Sequence, residues 1–213
     1  MAHSRRPHQN RAIANVLGGF STADRGQLVM ACGTGKTLAT LWTKEDLGAD
    51  STLVLVPSIA LLDQFASEWR SHSTTDQPYA TLCVCSDETV GRRAGNDDII
   101  RFSTQDLAHD GFEVTSDPAR IGGFLRQGGR TVVFSTYQSS HLIADAQADE
   151  SVPAFDLAIA DEAHRCAGDQ AASLQRFWTA AVSAQQSACL PRPRRGSTGA
   201  GEIARKATSW WST

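Results

Sequence analysis

The sequence predicts an α/β domain built on a central, mainly parallel sheet, and three observations predict it. A short apolar run, Gln27-Leu28-Val29-Met30, leads into a glycine-rich turn that opens a helix. A second run, Phe155-Asp156-Leu157-Ala158-Ile159-Ala160, has the near-continuous hydrophobicity of a strand covered on both faces, and it closes on an acidic pair. Between the two, strand-like and helix-like segments alternate as parallel connections require.

The elements follow in order. Ile13, Val16, Leu17 and Phe20 give a first helix one apolar face. After the turn, Leu38, Leu41 and Trp42 give a helix over about 36–47 a core-facing stripe, ended by Gly48. Residues 52–56 read as a buried strand, and Ser58 then suits the N-cap of a helix carrying Leu61, Leu62, Phe65 and Trp69. Ala80-Thr81-Leu82-Cys83-Val84-Cys85 is another strand. Residues 86–120 are polar and rich in Gly and Asp and read as an insertion of mixed structure. A helix near 119–126 leads into the strand Thr131-Val132-Val133-Phe134-Ser135-Thr136. Beyond the acidic pair, Leu174, Phe177 and Trp178 lie on one helical face.

Two motifs carry chemistry. In Met30-Ala31-Cys32-Gly33-Thr34-Gly35-Lys36-Thr37, the glycines let backbone N–H groups of Gly33, Thr34 and Gly35 turn inward on an anion, and the helix that follows adds its positive end. Lys36 suits the β- and γ-phosphates of a nucleotide, and the Thr37 hydroxyl suits Mg²⁺. The full phosphate-loop pattern opens with Gly, and here that position is Met30. In Asp161-Glu162-Ala163-His164, Asp161 is placed to hold Mg²⁺ and Glu162 to orient and deprotonate an attacking water. The alternative to the first motif is an ordinary Gly-rich turn, which its strand-turn-helix order disfavours, and the alternative to the second is a solvated acidic strand end. Occurring together, 125 positions apart, they read as two halves of one magnesium-nucleotide site.

A phosphate loop followed by Asp-Glu-Ala-His resembles the first, RecA-like ATPase domain of superfamily 2 DEAD/DEAH-box helicases, closest to the helicase subunits of type I and type III restriction enzymes. The resemblance spans about residues 5–180 and implies a three-layer phosphate-loop NTPase fold. Arg6-Pro7-His8-Gln9, 27 residues before Lys36, resembles the adenine-recognition motif and implies that Gln9 contacts the base. Thr52-Leu53-Val54-Leu55-Val56-Pro57-Ser58 resembles motif Ia, and Thr131 to Gln138 resembles motif Ib. The resemblance implies nucleic-acid backbone contacts at Pro57, Ser58, Thr136, Tyr137 and Gln138, where Ser, Thr and backbone N–H groups grip phosphate without reading sequence. It implies ATP and Mg²⁺ as cofactors, catalytic roles for Lys36, Asp161, Glu162 and His164, and DNA rather than RNA as partner. A second ATPase domain, a nuclease or a methyltransferase are the protein partners it suggests. Against an unrelated small-molecule kinase, Asp161-Glu162-Ala163-His164 as a whole is the discriminator, since such kinases lack a His two positions beyond the acidic pair, where helicases use it to couple their two domains.

Composition sets bounds. The 213 residues are 41% hydrophobic and 20% charged, ordinary globular usage. No run reaches the ~18–20 apolar residues of a membrane span, and no apolar segment follows Arg5 and Arg6, so a cytoplasmic location is expected. Five cysteines, at Cys32, Cys83, Cys85, Cys166 and Cys189, fit neither a disulfide framework nor a zinc site. Residues 1–188 carry −7 and residues 189–213 carry +4. That acidic balance gives nucleic-acid binding no positive support, which rests on the resemblance.

The tail departs from the family. Pro191, Pro193, Gly196, Ser197, Gly199 and Gly201 argue against any central strand after Leu190, where the family places the motif III strand. The segment 189–213 reads as out-of-frame translation or as a native basic tail. Without motif III, two central strands are expected to carry unpaired backbone groups, each costing ~1–3 kcal/mol. A second domain would supply arginine fingers worth ~10³–10⁵ in rate. The expectation is an incomplete domain, 1–188, that binds nucleotide weakly and hydrolyses poorly alone. The alternatives are a nucleotide-binding module dependent on a partner and a nonfunctional gene remnant.

Overall fold

A computed structural model describes residues 4–73, 78–86 and 103–162, together with the backbone of 188–191. Its elements are α1 (Pro7–Phe20), β1 (Gly26–Gln27), α2 (Lys36–Leu47), β2 (Ser51–Val56), α3 (Ile59–His72), β3 (Ala80–Val84), α4 (Thr104–His109), β4 (Glu113–Thr115), α5 (Pro118–Arg126), β5 (Thr131–Thr136), α6 (Ser140–Gln147), β6 (Leu157–Ala160) and β7 (Ala188–Pro191). The sheet runs β1-β7-β6-β2-β5-β3-β4. The five strands β6, β2, β5, β3 and β4 are parallel, and β7 runs antiparallel to both its neighbours. This is the α/β, RecA-like architecture that the sequence predicts.

Alternation along β2 builds both layers. Val54 and Val56 face a core holding Ile13, Leu41, Trp42, Leu62, Phe65 and Trp69, supplied by α1, α2 and α3. Leu53 and Leu55 face the opposite core, with Ile121, Phe124 and Ile143 from α5 and α6. Cys83 and Cys85 are both buried in the first core, as their spacing on one strand requires. Asp156 fixes the start of β6 against β2: its carboxylate accepts from the Ser51 N–H at 2.9 Å and the Ser51 hydroxyl at 3.1 Å.

Three elements depart from the sequence reading. The strand before the phosphate loop is two residues long, not four. Leu28 and Met30 are still buried and Val29 is 66% exposed, so the alternation persists without a ladder. Residues 103–120, inside the expected insertion, carry α4 and the edge strand β4, anchored by buried Leu107 and Phe112. The expectation that two central strands are left with unpaired backbone groups is also corrected. Ala188–Pro191 lies in the slot between β1 and β6, where ladder groups on both sides outweigh the local disfavour of Pro191. The helix expected over 165–182, the rest of the polar segment (87–102) and the tail after 191 lie outside the described residues.

Candidate functional site

The site forms at the carboxyl ends of the parallel strands, where open α/β sheets bind ligands. Gly33 (φ +73°) and Gly35 (φ +80°) both take left-handed backbone, which only glycine adopts at little cost. Between them the Thr34 hydroxyl donates to the Ala31 carbonyl at 2.6 Å, closing the turn. Gly35 caps α2, so Lys36 and Thr37 occupy its first turn. A tie that the sequence did not disclose holds that turn: the Trp69 indole N–H on α3 donates to the Thr37 carbonyl at 3.0 Å. Trp69 is itself fully buried, edge-on to Phe134 at 5.5 Å.

Asp161 follows β6 directly and is 6% exposed. Its N–H continues the ladder to the Leu55 carbonyl at 2.8 Å. Glu162 stands at φ +52°, the one non-glycine residue with left-handed backbone among those described. Such a conformation costs about 1–3 kcal/mol and gathers at functional sites. The Lys36 Nζ lies 3.7 Å from the Glu162 carboxylate. A cleft of about 280 Å³ is lined by Cys32, Gly33, Lys36, Thr37, Asp161 and Glu162, with Phe65 at its wall. The loop and the acidic pair therefore meet in one place.

Magnesium fits this donor set. Among the described residues no group of three or more His, Cys, Asp or Glu could hold a metal alone. One hydroxyl and one carboxylate beside a phosphate cradle suit an ion that keeps its waters and shares substrate oxygens.

Gln9 adjoins the same loop from the far side. It is 3% exposed, not the solvated glutamine its polar context suggests. Its Nε2 donates to the carbonyls of Thr34 and Gly35, each at 3.2 Å, and its Oε1 accepts from the Arg6 N–H at 2.8 Å. Arg5 anchors this segment by two hydrogen bonds to Asp46, at 2.7 and 2.8 Å, while lying over the Trp42 ring. A second cleft of about 290 Å³ runs past Arg6, Gln9, Thr34, Gly35, Trp42 and His72.

The residues expected to meet nucleic acid divide. Pro57 and Ser58 are half-buried at the end of β2, with the Ser58 hydroxyl accepting from the Leu61 N–H as an N-cap. Thr136 and Tyr137 are buried at 1% and 6%, so their side chains lie within the domain. Every residue of β5 is covered on both faces, so its end offers no solvent side until Gln138, which is exposed. His164 lies outside the described residues.

The family described as type III restriction enzyme, res subunit, matches residues 2–190. The chain belongs to that family. A probable helicase of African swine fever virus is 32% identical over 145 residues, covering 68% of this chain and 14% of the viral protein. Among solved structures, a nuclease-deletion mutant of the Type ISP restriction-modification enzyme LlaGI, in complex with a DNA substrate mimic, is 34% identical. It superposes with a TM-score of 0.60 over 76% of this chain and 15% of the enzyme. The ATP-dependent Type ISP enzyme LlaBIII, bound to DNA, is 32% identical, with a TM-score of 0.65 over 82% of this chain and 12% of the enzyme. The chain thus spans about one seventh of the length of these relatives. It is a superfamily 2 helicase ATP-binding domain of the restriction-enzyme type. No helix among the described residues is long and apolar enough to cross a membrane.

Proposed function

We propose that this domain binds Mg²⁺-ATP between the phosphate loop and the acidic pair and serves as half of a DNA-translocating motor. The observation that carries the reading is the approach of Lys36 to Glu162 within 3.7 Å, in a cleft that Thr37 and Asp161 also line. Lys36 exchanges its carboxylate partner for the β- and γ-phosphates. Backbone N–H groups of residues 33–35 and the start of α2 hold the rest of the phosphate chain. Thr37 and Asp161 would hold the magnesium, which when bound draws charge from the transferring phosphoryl oxygens. Glu162 orients the attacking water and takes its proton. Gln9 faces the base, exchanging its hold on the loop for the adenine edge. His164 couples the site to a neighbouring domain. Pro57, Ser58 and Gln138 contact a nucleic-acid backbone, a part supported by the DNA-bound state of the two Type ISP enzymes.

Fast hydrolysis then requires arginine fingers from a second ATPase domain or partner, and a cytoplasmic location belongs to the same proposal. ATP turnover of the chain, with and without duplex DNA, beside a Lys36→Ala control, tests it. The expected result is slow turnover that Lys36→Ala abolishes and a separately supplied second domain accelerates. Turnover indifferent to Lys36→Ala would overturn the nucleotide site. Fast DNA-stimulated turnover by the chain alone would overturn the need for outside arginines.

A further inference from the structure

Tyr137 does more than fill the core. Its ring packs among Leu53, Leu55, Val133 and Ile143, a role phenylalanine would serve equally. Its hydroxyl, however, donates to the Asp161 carbonyl at 2.5 Å. Its N–H donates to the Val56 carbonyl at 3.0 Å, and its own carbonyl accepts from the Ser140 hydroxyl at 2.7 Å. One residue therefore joins the ends of β2, β5 and β6. The next residue, Gln138, is exposed on the turn into α6.

The bond to Asp161 lands on a particular peptide. Asp161 is held from β2 through its N–H and from Tyr137 through its carbonyl, so both peptide planes flanking it are fixed. The second plane leads straight into Glu162 and its left-handed φ of +52°. Rotating that peptide would release Glu162 toward an ordinary conformation and re-aim both carboxylates.

We propose that Tyr137 is a positioning residue: its hydroxyl holds the Asp161–Glu162 peptide in the metal-binding orientation and transmits to it the state of the nucleic-acid-facing turn at Gln138. The inference rests on the magnesium-nucleotide reading of the cleft. Nucleic acid that orders the turn tightens Mg²⁺-nucleotide binding, and by linkage Mg²⁺-nucleotide tightens nucleic-acid binding by the same factor.

The test titrates fluorescent ADP into the full chain with Mg²⁺ or with chelator, and with or without a short DNA duplex, for the wild type, Tyr137→Phe and Ser139→Ala. Ser139 lies on the same turn, and its buried hydroxyl has no partner among the described residues, so its loss controls for a change at that place. In Tyr137→Phe, metal-free affinity stays as in the wild type, the gain on adding Mg²⁺ falls about 3- to 10-fold, as loss of one hydrogen bond implies, and the DNA effect on ADP affinity vanishes. Ser139→Ala behaves as the wild type. Equal loss of metal-free and Mg²⁺-dependent affinity, or no loss, overturns the proposal. A wild type that binds no nucleotide under any condition defeats the underlying site reading as well, a distinct outcome. Hydrogen exchange of the wild-type 155–162 segment needs no variant: DNA should slow exchange of the Glu162 N–H, the amide of the peptide whose carbonyl Tyr137 holds, and an unchanged rate overturns the link.

Discussion

Replacing Gly35 by alanine should cost far more stability than the same change at Gly33, although both glycines have left-handed backbone. At Gly33 an added Cβ meets nothing within 4 Å. Its cost is the conformation alone, about 1–2 kcal/mol. At Gly35 the Cβ would stand 2.5 Å from the Gln9 Nε2. A glutamine tip usually swings aside, but Gln9 is buried at 3% and holds three hydrogen bonds with Arg6, Thr34 and Gly35. Displacing it strands buried groups at about 1–3 kcal/mol beyond the backbone cost. Gly35→Ala should therefore lose about 2–5 kcal/mol in total. Urea unfolding of both variants measures the difference, with midpoints compared at equal slopes. In a Gln9→Ala background the excess at Gly35 should disappear, since the obstructing atom is gone. Equal costs at the two glycines, or an excess that survives Gln9→Ala, would refute the placement of Gln9 against the loop.

Two further outcomes follow from strained or buried groups. Glu162→Gly relieves left-handed backbone at +52°, a strain that outweighs its partly exposed 3.7 Å ion pair with Lys36, so it should raise stability by about 1 kcal/mol while eliminating ATP turnover; thermal melts and a phosphate-release assay read both, and a lowered melting temperature would contradict it. Lys44 is 1% exposed, with its ammonium over the Tyr79 ring at 5.0 Å, and burial holds its pKa below the ordinary 10.5. A depressed lysine weakens the fold while charged, so wild-type stability should rise with pH from the folded value up to 10.5. Lys44→Met should stabilise by about 1 kcal/mol at pH 7, with the advantage narrowing in that window; urea midpoints across pH 7–10 check it, and a destabilised variant at pH 7 would count against the charge being a burden.

What the sequence discloses is what local geometry dictates. Gly33, Gly35, Lys36 and Gly48 mark the turn and the bounds of α2, because left-handed residues and helix ends leave a signature in single positions. Ser58 announces α3 for the same reason. Gln9 is opaque, because its partners lie 25 and 26 residues away and nothing nearby marks it as buried. The inward bond of Tyr137 is invisible in the sequence, because motif position marks the end of the strand but not that the hydroxyl reaches the Asp161 carbonyl 24 residues away. Leu107 and Phe112 are single apolar residues in polar surroundings, too sparse for periodicity to reveal α4 or β4. Ala188–Pro191 pairs because two neighbouring ladders want a strand, a tertiary demand that composition around Pro191 does not display.

Calorimetric titration of a nonhydrolysable ATP analogue, with Mg²⁺ and with chelator, asks most directly whether the glycine loop and the acidic pair share one metal-bound triphosphate. Lys36→Ala should weaken binding in both conditions, and Asp161→Asn should weaken it only when Mg²⁺ is present. An Asp161→Asn chain that gains as much from Mg²⁺ as the wild type would show that the two motifs serve separate ends.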